Sequence, residues 1–199
     1  MFQHRSVGIA ALVLMLTPIA ARADWLFTPI LGSTFGADTL GQEHLTYGGA
    51  LAWRDEEALG LELEMSLSPD FFEDASDGAL LFGGSGHVIT AMANAIVGLN
   101  GDARARVQPY VTAGVGLLQM HIVSEGDLFT TTTYEPGFNA GAGAMAFATN
   151  ALGVRGDIRY IRSFQNQVPS WTRGTELDVA PGNFDFWRAT VGVTFRFSE

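Results

Sequence analysis

Hydrophobic and polar residues alternate most regularly in the stretch from Phe186 to Phe197, near the end of the chain. One face of this stretch carries the side chains of Trp187, Ala189, Val191, Val193, Phe195 and Phe197. A repeat of two residues predicts a β-strand. The length of about 12 residues exceeds that of most soluble strands and is enough for a tilted strand to cross a bilayer. Aromatic residues close both ends of the apolar face, which predicts the closing strand of a membrane β-barrel.

The same repeat predicts seven further strands, at residues 25–35, 45–53, 59–68, 88–99, 107–122, 138–147 and 152–164. The third has the second-clearest pattern, because leucines and Met65 alternate with Glu62 and Glu64. On the seventh strand the polar face is ionic. The sequence therefore predicts an all-β fold, an eight-stranded antiparallel up-and-down transmembrane β-barrel.

The predicted connections differ in length on the two sides of the barrel. Short turns (54–57, 100–106, 149–151) share one side with both mature termini, and longer polar loops (36–43, 70–86, 123–136, 165–185) share the other. Short periplasmic turns and long external loops are typical of outer-membrane barrels. A soluble barrel or sandwich is the alternative. The alternation is the same whether the apolar face of a strand lies in a protein core or contacts lipid, so the sequence pattern does not distinguish the two.

Residues 1–23 have the pattern of a cleaved secretory signal peptide. Arg5 supplies a positive charge, residues 7–20 form an apolar run, and Ala21 and Ala23 flank Arg22 in a small-x-small cleavage site. The alternative is an uncleaved anchor helix, but the run is short of the roughly 20 residues that a span needs. The domain prediction is a signal peptide at 1–23 and a barrel domain at 24–199.

The charge of the chain limits its partners. Removing residues 1–23 takes away two arginines and no acid, so 9 basic residues remain against 21 acidic ones, a formal charge of −12. Nucleic acid is excluded as a partner, since phosphate binding needs a cationic face. The chain has no cysteine, so it offers neither a disulfide nor a thiolate metal site. After residue 23 no apolar run approaches the length of a membrane helix, so a membrane location requires a closed barrel.

Two internal stretches and the closing strand carry a family resemblance. With the leader, residues 109–116 (PYVTAGVG), 153–160 (GVRGDIRY) and 186–197 resemble the small outer-membrane β-barrel proteins grouped with the membrane domains of OmpA and OmpX. The resemblance covers essentially the whole mature chain and marks architecture rather than activity. It implies export through the secretory pathway to the outer membrane of a Gram-negative bacterium, where the partners are outer-membrane lipid and lipopolysaccharide.

The resemblance also implies a role for the end of the chain. The closing strand, with Trp187, Phe195 and Phe197, would be read by the barrel-assembly machinery. In the family this strand ends on an aromatic residue, whereas here Ser198 and Glu199 follow Phe197.

Charged residues on inward faces are the candidate site. An eight-stranded barrel is just wide enough for side chains to fill its interior. Strands three and seven lie opposite one another, so arginines can reach across to glutamates, and buried charges persist only when paired. We therefore expect a structural ionic network in the lumen; the alternative is a selectivity filter or proton path. Its members are Glu62, Glu64, Arg155, Asp157, Arg159, Arg188 and Arg196.

Candidate catalytic groups are few. Glu62 and Glu64 could suggest acid–base chemistry, but a packed lumen offers them no substrate cleft. His121 precedes Ser124 and Glu125, which invites comparison with lipid A deacylase barrels, whose resemblance would imply a His-x-Ser motif on the lipid face. The spacing of three here puts His121 and Ser124 on opposite faces of a strand. The sequence therefore predicts a protein that is not an enzyme and has no cofactor, catalytic residue or protein-built metal site.

The outer loops hold the remaining chemistry. Histidines His44 and His87 fall at strand–loop borders, where solvated or interfacial positions are expected. Acidic loops could share divalent cations with lipid headgroups, and the alternative is plain solvation. The acids are Asp38, Glu43, Asp70, Glu73, Asp74, Asp77, Glu125, Asp127, Glu135, Glu176, Asp178 and Asp185.

The predicted function is that of an envelope structural or surface-interaction protein that acts through acidic external loops. The first alternative is a narrow porin-like passive channel for small solutes. The second is a lipid-modifying barrel enzyme.

Overall fold

A computed structural model describes residues 24–36, 43–55, 58–69, 71, 84–102, 104–124, 130–164 and 184–197. The predicted signal peptide, including Ala21 and Ala23, lies outside these residues. The described residues form eight strands: β1 (Asp24–Phe35), β2 (His44–Arg54), β3 (Leu59–Ser68), β4 (Gly84–Gly98), β5 (Val107–Ser124), β6 (Thr130–Phe147), β7 (Leu152–Ser163) and β8 (Asp185–Phe197). Within them, no helix is long and apolar enough to span a membrane.

The eight strands close into one barrel. Each strand pairs antiparallel with the next, and β8 returns to β1, with Trp25 opposite Phe197 and Phe35 opposite Trp187. Closure leaves no free sheet edge, so backbone polar groups are paired between strands, as a hydrocarbon environment requires. The predicted eight-stranded antiparallel up-and-down barrel is confirmed.

The barrel is apolar outside and polar inside. On β3, Leu61 and Leu63 are 55% and 65% exposed, whereas Glu62 between them is 2% exposed. On β8, Val191 is 63% exposed and Arg188 is 1% exposed. A water-soluble barrel would show the reverse arrangement, so the soluble alternative is wrong.

The two ends of the barrel differ in their longest connections, which have 8 and 21 residues, and we name the ends after these. The short-turn end holds connections 55–58, 99–106 and 148–151 together with Asp24 and Phe197, and the long-loop end holds connections 36–43, 69–83, 125–129 and 164–184. In the connection 99–106, Gly101 adopts a φ of +64°, which favours glycine.

One predicted loop is wrong in its bounds. The sequence predicted a loop at 123–136, but β5 and β6 each run for 18 residues and leave only 125–129 between them. The threonines from 130 to 133 are β-branched residues that favour extended backbone, and they continue the β5–β6 ladder. Because a span needs about 9–11 residues, this hairpin is longer than a membrane crossing requires.

Aromatic side chains mark both borders of the apolar surface. At the long-loop end the rings of Trp187 and Tyr160 lie 5.3 Å apart, and Phe138 lies 6.3 Å from Tyr160. At the short-turn end Phe195 and Phe197 are 39% and 59% exposed. From Trp187 to Phe197 the strand runs about 33 Å, which at a tilt of about 40° spans about 25 Å along the barrel axis and suits an outward apolar band about 25 Å tall.

The outward apolar face predicts a depth-dependent cost of charge. Leu63 lies at the middle of β3, opposite Leu51 and Ala93, whereas Leu59 begins the same strand. Leu63→Arg should lower the free energy of unfolding in lipid vesicles by about 2–4 kcal/mol, and the control Leu59→Arg by about 0–1 kcal/mol. Denaturant titration of both variants measures this. Equal costs at the two positions would contradict the placement of β3 across the bilayer.

Candidate functional site

The lumen is occupied by side chains that point inward from the strands. Those with charge at its centre come from β3, β7 and β8. We call them the lumen ionic network, and each is at most 8% exposed: Glu62, Glu64, Arg155, Asp157, Arg159 and Arg188. Along each strand they alternate with outward residues, so the two-residue repeat that builds the lipid-facing surface also delivers these charges to the interior.

Glu62 joins opposite sides of the barrel. Its carboxylate accepts hydrogen bonds from Arg155 Nη1 at 2.5 Å and from Arg159 Nη2 at 2.9 Å, both donors being on β7. Asn94 on β4 donates a third bond from Nδ2 at 2.9 Å. The arginines therefore reach across the lumen to the glutamate, as the positions of the two strands in the ring predicted.

Glu64 connects the same side of the barrel to β8. Arg159 Nη1 lies 3.1 Å from Glu64 Oε2, and Arg188 Nη2 donates to Glu64 Oε1. The other terminal nitrogen of Arg188 donates to Ser66 Oγ at 2.5 Å and to Thr90 Oγ1 at 3.2 Å. Arg188 thus joins β8 to both β3 and β4.

Asp157 completes the charge balance. It accepts hydrogen bonds from Arg155 Nε at 3.0 Å, Arg159 Nε at 3.2 Å and the Tyr110 hydroxyl at 2.7 Å. Arg159 Nη2 at 3.2 Å and Thr190 Oγ1 at 3.1 Å donate two more. Three carboxylates therefore face three guanidinium groups in the network, which is formally neutral. Mutual pairing and hydrogen bonding are what make buried ions tolerable.

Arg196 was predicted as a seventh member, and its position corrects that prediction. It lies eight residues beyond Arg188 on β8, about 26 Å farther along the strand. At the short-turn end its Nε is 3.5 Å from Asp24 Oδ2, and its guanidinium carbon lies 3.7 Å from the centre of the Phe147 ring. Arg196 therefore belongs to a separate contact group near the barrel mouth.

Arg54 is a lumen residue that the sequence analysis assigned to a turn. It ends β2 and is 2% exposed, and it donates to Gln108 Oε1 at 2.7 Å and to the Ala58 carbonyl at 3.4 Å. The signal was present, because Arg54 continues the inward positions of Ala50 and Ala52. Because Arg54 is charged and stands next to Asp55, the predicted turn was begun at residue 54, one residue too early.

Small residues on β6 make room for the network. A Cβ added at Gly143 would lie 2.6 Å from the Tyr110 hydroxyl and 2.5 Å from Asp157 Cβ. One added at Gly141 would lie 2.7 Å from Arg159 Cγ. The glycines on the inward face of β6 are therefore matched to the large side chains that they face, whereas the alanines of β6 lie on its outward face.

An apolar layer lies between the network and the long-loop end. Its rings are close together, with Phe71 5.5 Å from both Phe184 and Phe186. His44 stacks on Phe71 at 4.9 Å and is 7% exposed, so the prediction that His44 is solvated or interfacial is wrong. The buried members of this layer are Phe71, Val88, Met92, Leu118, Met120, Ile161, Phe184 and Phe186.

A second apolar layer lies on the other side of the network, toward the short-turn end. Its members are Leu26, Ala52, Ile96, Tyr110, Met145 and Phe147. The ionic network is therefore enclosed between two apolar layers. Burial in such surroundings strengthens each ion pair and makes an unpaired charge costly.

The chemical groups considered as catalysts occupy two different places. Glu62 and Glu64 are held by arginines inside the lumen, which favours a structural role. His121 lies on the outward side of β5, where its Nδ1 is 2.9 Å from Thr132 Oγ1 on β6. Glu125 lies outside the described residues, and for Ser124 only the position in the strand is described. Within the described residues no cluster of three or more potential ligands is placed to hold a metal ion.

Comparison with known proteins agrees with this architecture. The chain matches the family model for the outer membrane protein beta-barrel domain over residues 9–197. No curated protein sequence matches it.

Three solved structures share the fold at low sequence identity. Neisserial surface protein A has a TM-score of 0.59 and 14% identity, with 88% of this chain and 99% of that chain covered. The N-terminal β-barrel of Pseudomonas aeruginosa OprF has a TM-score of 0.56 and 16% identity, covering 87% and 97%. Yersinia pestis Ail, in complex with the heparin analogue sucrose octasulfate, has a TM-score of 0.55 and 13% identity, covering 88% and 99%.

Removal of one carboxylate tests the network. Glu62→Ala would leave two buried arginines short of a partner, so the free energy of unfolding in detergent should fall by on the order of 3–5 kcal/mol. The control Glu43→Ala removes an exposed carboxylate just before β2 and should change it by less than about 0.5 kcal/mol. An unchanged unfolding midpoint for Glu62→Ala would contradict the network's structural role.

Proposed function

This chain belongs to the outer membrane protein beta-barrel domain family, and from that premise we propose that it is a non-enzymatic envelope protein. It acts through the surface at its long-loop end rather than through its lumen. The observation that carries the proposal is the filled interior, in which a neutral ionic network is enclosed between two apolar layers. A lumen of this kind supplies rigidity to a scaffold, which leaves the external surface for recognition.

The biogenesis that we propose follows from the ends of the chain. Residues 1–23 direct export through the secretory pathway and are removed after Ala23. The barrel-assembly machinery then reads the closing strand, whose outward Trp187, Phe195 and Phe197 remain available on the barrel surface. The resulting orientation places the long-loop end outside the cell.

The external surface is suited to contact with lipid headgroups and other surface partners. The β5–β6 hairpin is longer than a span requires and carries Tyr134 with 64% exposure, and exposed aromatic residues are favoured contact groups. Glu43, Glu135 and Asp185 are the described members of the acidic set; the other predicted loop acids lie outside the described residues. The acids bind divalent cations that are shared with lipopolysaccharide phosphates.

The charge of this surface indicates which kind of partner it binds. Ail was crystallised with a sulfated heparin analogue, which is a polyanion. The mature chain here has a formal charge of −12, with twelve acids in or beside the predicted outer loops. Its own partners are therefore cationic or reach it through bridging cations.

The acidic-loop proposal predicts a cation-dependent association. A variant with Asp70, Glu73, Asp74 and Asp77 changed to Asn or Gln should lose most of the Mg²⁺-dependent binding of the purified barrel to lipopolysaccharide, because the carboxylate ligands are gone. Co-sedimentation with and without Mg²⁺ measures this. The control Asp55→Asn/Asp102→Asn removes acids at the short-turn end and should bind like the wild type. Unchanged binding by the loop variant would overturn the proposal.

The filled lumen predicts electrical silence. Wild-type barrel in a planar bilayer should give no discrete openings, because apolar side chains lie on both sides of the ionic network. Insertion is verified on the same sample by the change in electrophoretic mobility on boiling that a closed barrel shows. Reproducible unitary openings would favour the narrow porin-like channel for small solutes instead.

A further inference from the structure

Two histidines form a pair on the outer surface of the barrel that the proposed function does not use. His87 on β4 and His121 on β5 are directly opposite one another in the antiparallel register. Their ring centres are 4.9 Å apart with 30° between the ring planes, and both side chains are partly exposed. Both positions face outward, since they alternate with the buried inward residues Val88 and Met120.

We propose that His87 and His121 form a two-imidazole site for a divalent transition-metal ion such as Cu²⁺ or Zn²⁺. Imidazole nitrogen is a preferred ligand for these ions, whereas Mg²⁺ and Ca²⁺ prefer oxygen. The two side chains supply two ligands, and water completes the coordination. This arrangement is consistent with the absence of any cluster of three candidate ligands among the described residues.

The spacing of the rings fits a shared ion. A metal bound at about 2.0–2.1 Å from an imidazole nitrogen lies about 3.2 Å from the ring centre. Two such rings at an angle of about 90–110° at the metal have centres about 4.5–5.2 Å apart. The observed separation of 4.9 Å between the ring centres lies inside that range, so the backbone register holds the two rings at a separation compatible with a shared ion.

A third residue contacts the imidazole of His121. His121 Nδ1 is 2.9 Å from Thr132 Oγ1, which lies opposite it on β6. A hydroxyl can accept or donate this hydrogen bond, and in the tautomer in which Nδ1 donates it, Nε2 carries the free lone pair that a metal requires. In that tautomer Thr132 positions the ring, and the site spans three adjacent strands.

The position of the pair on the barrel favours access from water. The outward residues that follow Leu117 on β5 are Gln119 and His121. His121 lies about 13 Å from Leu117 along the strand, toward the long-loop end. The exposed Tyr134 on β6 lies opposite Gln119. The histidines thus lie beyond the aliphatic residues of the lipid-facing band, at the polar border where a dissolved ion can reach them.

The test uses the refolded mature barrel in detergent, with correct folding verified by its mobility with and without boiling. Zn²⁺ is titrated calorimetrically in excess Mg²⁺, which occupies carboxylates. Cu²⁺ is then bound at one equivalent and its electron paramagnetic resonance spectrum recorded. The wild type should bind one Zn²⁺ per barrel, and the Cu²⁺ spectrum should show coupling to two imidazole nitrogens.

Two single variants, the corresponding double variant and one control separate the site from background binding. His87→Gln and His121→Gln should each weaken Zn²⁺ binding by more than about tenfold and leave coupling to a single imidazole. The control Gln119→Ala changes an outward polar neighbour and should bind as the wild type does. If His87→Gln/His121→Gln binds Zn²⁺ as tightly as the wild type, or if the wild type binds none, the proposal is overturned.

Discussion

Pairing of charges inside a closed ring of hydrogen-bonded strands is the constraint on which this structure depends. Closure of β8 on β1 satisfies the backbone in a hydrocarbon environment, and the outward faces can then be apolar. The inward faces must fill a space only as wide as side chains. Here they do so with three carboxylates and three guanidinium groups in mutual contact, a set that is formally neutral. The cost of desolvating Glu62 and Glu64 is offset by arginines of β7 and β8, and that of Asp157 by arginines of its own strand.

The network also determines where function can lie. β3, β4, β7 and β8 are joined through the interior by Glu62, Glu64 and Arg188, and apolar layers enclose these residues toward both ends. A barrel held together in this way is a rigid support. The proposed interactions therefore lie on the outside at the long-loop end, where the β5–β6 hairpin carries Tyr134 and His121.

Much of this architecture could be predicted from the sequence because a single repeat encodes it. The two-residue alternation predicted the eight strands and the inward side of β3, β7 and β8. The position of β3 opposite β7 then follows from the strand order.

The alternation does not show which inward side chains lie at the same level along the barrel axis. Arg196 shares a face with Arg188 but lies too far along β8 to join it, and His44 is buried because Phe71, beyond the end of β3, folds over it. Strand ends such as Arg54 and Thr130 were missed because charged and hydroxyl residues are common both in turns and at the ends of strands. Asn94, Tyr110 and Asn139 form buried hydrogen bonds in the lumen. Their side chains are neutral, and the sequence does not distinguish such buried polar side chains from solvated ones.

The central claim is that lipid lies outside this barrel and a sealed polar interior lies within it. Because the chain has no cysteine, single cysteines can be introduced along β8 and spin-labelled without background. In lipid vesicles, labels at Ala189, Val191 and Val193 should collide readily with oxygen dissolved in the bilayer, and labels at Thr190 and Thr194 should be protected from both oxygen and a water-soluble nickel chelate. Accessibility that does not alternate along β8, or water exposure at Val191 and Val193, would contradict the account.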